Sequence, residues 1–176
     1  MKIYFNLILT LFLSSYSFAE DIEKKTVLNG KLEILAPKNF KLMSKAMLEI
    51  KYPNSRRPTE VLCNSSGSVS LAFNFTNNKL LKKDIKAAHI QFSKLFHNLY
   101  PSAKWLRDEI AVKGGNKFII LEMITPAVDT KIHNIMYVAS VDDKMLFVSF
   151  NFIIEETKKW LPIGQKIIQS INVIKK

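Results

Sequence analysis

Lys117-Phe118-Ile119-Ile120-Leu121-Glu122-Met123-Ile124-Thr125 is the stretch on which the fold turns. Its β-branched and aromatic residues suit a strand. Alternate side chains of a strand point to opposite faces, and here both sets are apolar: Phe118, Ile120 and Ile124 against Ile119, Leu121 and Met123. Such a strand needs cover above and below its sheet. The flanking sequence supplies three partners. Trp105–Val112 precedes it across Lys113-Gly114-Gly115-Asn116. Ile132–Ser140 follows the Pro126–Thr130 loop, and Met145–Phe152 returns across Asp142-Asp143. Short turns of this kind join antiparallel neighbours, so the four segments predict a meander.

Upstream, Lys31–Leu35 alternates and stops at Pro37, which predicts a first strand after a charged, frayed lead-in, Glu20–Thr26. Two more strands, Thr59–Cys63 and Val69–Phe75, flank the turn Asn64-Ser65-Ser66-Gly67. Ser44 can cap a short helix containing Met47, Leu48 and Ile50 that Pro53 ends. Lys79–Leu99 reads as a long helix capped by Asn78. Its Leu81, Ile85, Ala88, Phe92, Leu95, Phe96 and Leu99 form one apolar stripe. Thr157–Ile171 reads as a second helix, with Trp160, Ile163, Ile167, Ile168 and Ile171 on its apolar side. The fold class is therefore α+β: an antiparallel sheet of six to seven strands with helices packed on both faces.

The chain opens with Met1-Lys2, an apolar run from Ile3 to Leu13 and the small-residue site Ser17-Phe18-Ala19. That is the pattern of a secretory signal peptide cut near Ala19-Glu20, leaving residues 20–176 as a single domain in the periplasm or outside the cell. No later stretch is apolar and long enough to cross a bilayer as a helix. Cys63 is the only cysteine, so no internal disulfide is available, and its strand setting suits a buried thiol better than a reactive one.

The formal net charge is +11. A basic exported protein can meet anionic lipid, polysaccharide or an acidic protein. Only three of the 26 basic residues are Arg, and no aromatic residues are interleaved with the lysines, so nucleic acid is not an expected partner. Two basic features stand out as candidate binding sites. One is the loop with Lys51, Arg56 and Arg57, where Arg supplies a bidentate fork for anions. The other is Lys79, Lys82, Lys83 and Lys86, placed where the opening turns of the long helix disfavour cations.

Chemistry is harder to find. There is no His-Glu-x-x-His and no Gly-x-Ser-x-Gly. His89 and His97 lie eight residues apart on one helix, about 12 Å along its axis, too far to share a metal ion easily. No carboxylate falls at helical spacing beside either of them, and His133 lies on a strand. The acidic pairs Asp108-Glu109, Asp142-Asp143 and Glu155-Glu156 are consecutive, so strand geometry turns their members apart. No catalytic set, metal site or cofactor is expected. A hydrolase would have to assemble its site from distant residues.

The opening Lys31-Leu32-Glu33-Ile34-Leu35-Ala36-Pro37-Lys38-Asn39-Phe40, the closing Ile168-Gln169-Ser170-Ile171-Asn172-Val173 and the order of elements after a signal peptide resemble the Mog1/PsbP-like superfamily, including its small exported DcrB-like proteins. The resemblance implies an α/β/α sandwich and a non-enzymatic accessory role, acting through a protein partner of the cell envelope. The alternative is direct binding of anionic lipid headgroups or polysaccharide through the basic surface.

Overall fold

A computed structural model describes residues 20–53 and 57–174. The signal-peptide reading of residues 1–19 and the Arg56 candidate lie outside the described residues. The elements are β1 (Ile22–Val27), β2 (Leu32–Pro37), β3 (Lys41–Leu42), α1 (Lys45–Lys51), β4 (Glu60–Cys63), β5 (Ser70–Lys79), α2 (Ile85–Leu99), β6 (Lys104–Lys113), β7 (Asn116–Pro126), β8 (Lys131–Val141), β9 (Lys144–Ile153), α3 (Thr157–Ser170) and β10 (Asn172–Val173).

The meander forms as its turns require. Gly114 and Gly115 take φ of 54° and 76°, and Asp142 and Asp143 take 50° and 57°, the left-handed pairs that close two-residue hairpins. The meander is one wing of a seven-stranded antiparallel sheet, ordered β3-β4-β5-β9-β8-β7-β6. In β9 the alternation is complete: Leu146, Val148, Phe150 and Phe152 are buried toward one face. That face is closed by α3, through Trp160, Ile167 and Ile168, and by β2, through Leu32, Ile34 and Ala36. The other face is covered by α1 over β4 and β5, and by α2 over β7 and β8. Helices therefore lie on both faces, as the two-sided apolar strands demand.

Three expectations are corrected. The lead-in is not a free tail: Ile22–Val27 pairs along its whole length with β2, and with β10 makes a second, three-stranded sheet. Its charges hid the strand: Glu23 and Lys24 are exposed, the Lys25 ammonium binds Glu23 and Lys38 O, and the backbone supplies the pairing. The long helix starts later than its apolar stripe suggests. β5 runs on to Lys79, which pairs with Lys144, and Leu80 N–H donates to Asp143 O at 2.9 Å. A single 3-10 turn at Lys82–Asp84 precedes α2, so Asn78 caps nothing. Finally, Leu95 and Leu99 are 48% and 58% exposed, since the helix rests on the sheet through Ile85, Ala88, Phe92 and Phe96 instead.

Gly164 sets the seat of α3. A Cβ there would fall 2.5 Å from Phe150 Cδ1 and 2.9 Å from Ile135 Cδ1, so only glycine lets the helix lie this close to β8 and β9. The short helix α1 forms as expected, with Ser44 Oγ accepting from Met47 N–H at 3.3 Å.

Candidate functional site

The basic residues singled out from the sequence do not converge. Lys51 turns its ammonium inward, donating to Gly67 O and, at 3.3 Å, to Ser70 Oγ. Burial lowers its pKa, opposed by the nearby Cys63 sulfur. Arg57 Nε donates to Tyr52 O at 2.9 Å, and its guanidinium lies 3.8 Å from Glu49. Both side chains are thus engaged within the protein: Lys51 ties the end of α1 to Gly67 and Ser70, and Arg57 binds back to the end of α1. Of the four lysines, Lys79 closes β5, Lys82 and Lys83 sit in the 3-10 turn, and Lys86 alone is in α2. The helix-end penalty inferred for them does not apply as a set, because they never share a helical face. Cys63 is a buried free thiol whose pKa burial pushes up, partly opposed by Lys51.

Two polar clusters escaped the sequence reading. Asp108, on β6, receives three groups from one flank of α2: His89 Nε2 at 2.6 Å, Ser93 Oγ at 2.5 Å and His97 Nε2 at 3.3 Å. Burial alone would raise the Asp108 carboxyl. The hydrogen bonds from Ser93, His89 and His97 outweigh it and hold the pKa below the usual carboxylate value. His97 also stacks on Trp105, with ring centroids 4.0 Å apart. The missing signal was the spacing of His89, Ser93 and His97 at i, i+4 and i+8, a polar stripe that needed a partner from another element. Among the described residues, no group of three His, Cys, Asp or Glu is arranged to hold a metal ion.

The second cluster is buried on the α3 face. Glu122 Oε1 lies 2.8 Å from His133 Nε2, and both residues are almost wholly buried. Glu122 Oε2 is 3.7 Å from Arg107 Nη1, while His133 Nδ1 has no hydrogen-bond partner among the described residues. Their strands are offset so that Glu122 opposes Ile135 and His133 opposes Ile124, which makes the pair a diagonal contact on one face.

Two surfaces remain open. On the α2 face, helical phase puts Leu95 and Leu99 on the flank opposite the histidines, which contact β6. That flank looks toward β9, where Phe147 packs against Phe92 and Phe96 at centroid distances of 6.4 and 6.2 Å. Between α2 and α1 the sheet presents half-buried Asn74, Ser149 and Asn151. The result is a groove with an apolar wall and a polar floor. On the α3 face, a cleft of about 650 Å³ opens between α3 and the β6–β7 hairpin. Among the described residues no helix is long and apolar enough to cross a membrane.

No family model and no curated protein matches the chain. Solved structures do. The cyanobacterial PsbP protein CyanoP from Synechocystis is 13% identical, with a TM-score of 0.63 over 91% of this chain and 96% of that one. LpqN, involved in cell envelope biogenesis of Mycobacterium tuberculosis, is 11% identical, with a TM-score of 0.53 over 88% of this chain and 91% of that one. A Bacteroides thetaiotaomicron protein is 10% identical, with a TM-score of 0.54 over 88% of this chain and 49% of its own. The fold is that of the Mog1/PsbP-like proteins.

Proposed function

With the Mog1/PsbP-like fold as premise, we propose that the chain is a non-catalytic binding protein of the bacterial cell envelope, exported after cleavage near Ala19-Glu20, whose single domain acts through a protein partner. The observation that carries this reading is the flank of α2. Leu95 and Leu99 stand exposed one turn apart, beside the half-buried Phe147, above a polar strip of sheet. An apolar centre with a polar border is the anatomy of a protein interface. The likeness to LpqN, whose process is cell envelope biogenesis, supports the setting. The loop residues give less support to a purely ionic surface, because Lys51 and Arg57 are engaged within the protein.

The test is cross-linking of the tagged protein in living cells, with Leu95→Lys/Leu99→Lys beside the native chain. One dominant envelope protein, retained through a high-salt wash and lost in the variant, is the expected result. Equal capture by the variant would remove the α2 groove as the interface. Retention on anionic envelope material, released by salt, would favour direct lipid or polysaccharide binding instead.

A further inference from the structure

We propose that the cleft between α3 and the β6–β7 hairpin is a binding site for one single-chain anionic amphiphile: an acyl chain carrying a carboxylate or phosphate head. The inference is independent of the protein-partner reading, since this cleft lies on the opposite face of the sheet from the α2 groove.

The cleft exists because of how α3 is seated. Gly164 brings the helix tightly onto β8 and β9, leaving the β6–β7 edge of the sheet, on this face, without a helix directly above it. The floor of the gap is apolar, formed by Ala111, Phe118, Ile120, Ile135 and Ile168. Its volume of about 650 Å³ is within the range of small-molecule sites. A second hollow of about 320 Å³ continues it toward the end of α3, sharing Lys113, Phe118 and Ile168. There Tyr137 packs on Phe118 with ring centroids 4.7 Å apart. Burial pushes the Tyr137 hydroxyl up to about 12, so it stays a neutral donor.

The rim supplies the charge. Arg107 and Lys113 border the first hollow and Lys82 and Lys117 the second; among the described residues the first has no carboxylate in its lining and the second has Asp142 alone. Arg107 is shared with Glu109 at 2.6 Å and with Glu122 at 3.7 Å. Lys82 reaches Asn116 at 3.0 Å, and Lys113 donates to Gln169 O across the mouth. Lys113 is therefore a cation held by a neutral carbonyl, free to exchange that partner for an anion with gain in hydrogen-bond strength. A bare anion would satisfy the rim and leave the floor wet. A neutral acyl compound would cover the floor and leave the cations without a counter-charge. Only a ligand with both parts answers both walls.

The experiment uses the full exported chain labelled at isoleucine methyls and observed by NMR, with probes kept below their micelle concentrations. Dodecanoate and lauroyl lysophosphatidylglycerol are expected to shift Ile120, Ile135 and Ile168 saturably and to leave Ile85, at the start of α2 on the opposite face of the sheet, unmoved. Whichever of the two binds more tightly identifies the headgroup source. Dodecyl maltoside should bind at least tenfold more weakly, and inorganic phosphate should not move the floor methyls. Gln165→Trp, a change at an exposed rim position, should weaken both anionic probes at least tenfold. Lys113→Gln/Lys117→Gln should erase the preference over the maltoside. Equal binding of maltoside and dodecanoate, indifference to Gln165→Trp, or no saturable shift would each overturn the proposal.

Discussion

The two faces of the seven-stranded sheet are covered by different means. The α3 face is closed by a helix and a second sheet together, and its aromatic residues interlock: Phe150 contacts both Phe152 and Trp160, and Trp160 contacts Phe40. The α2 face is closed by two separate helices that leave a strip of half-buried Asn and Ser between them. One face concentrates stability, and the other spends part of its apolar surface on exposure. Interior density makes the first face intolerant of change, whereas an open groove accepts substitution cheaply.

That contrast can be broken by mutation. Phe150→Ala should cost the most, about 4 kcal/mol, because it removes a large buried ring and leaves a cavity where α3 is seated. Denaturant unfolding measures it; a loss under 1 kcal/mol would mean the two faces are equally plastic. His133→Leu should cost about 3 kcal/mol, by taking from the buried Glu122 carboxylate its hydrogen bond and leaving it only the longer contact with Arg107. The double variant Glu122→Met/His133→Leu should recover most of that loss, since no unpaired charge is left inside. Equal destabilisation of single and double variants would show that packing, not charge, governs the site.

On the α2 face, Asp108→Asn should cost only about 1 kcal/mol, because the side chain is roughly one-quarter exposed. Its pH dependence sharpens the comparison. The folded pKa lies below the unfolded one, so the stabilisation is fully present above about pH 4 and is lost as pH falls through the lowered folded value. Acid unfolding of the variant should therefore be shallower in that range than that of the native chain. An unchanged acid limb would mean that the hydrogen bonds from His89, Ser93 and His97 do not favour the carboxylate.

The elements legible in the sequence were those whose signal is local. The hairpin glycines and aspartates, the two-sided apolar strands and the Ser44 cap each depend on residues within one turn or one strand. β1 was illegible because its stability comes from backbone pairing with β2 and not from its own charged side chains. The start of α2 was misplaced because Lys79 and Leu80 are held in extended form by Lys144 and Asp143, distant in sequence. The polar clusters were missed for the same reason: Asp108 meets His89 across two elements, and Glu122 meets His133 only once the register of β7 on β8 is set.

Periodicity and turn chemistry by themselves determined the fold class, the meander and the need for helices on both sides, because hydrophobic alternation and left-handed turns act over a few residues. Tertiary structure alone decided which lysines are engaged inside the protein, which leucines of α2 stay in water and where α3 leaves a cleft. Those outcomes depend on the distance between packed elements, and at Gly164 that distance is set by the absence of a single carbon atom.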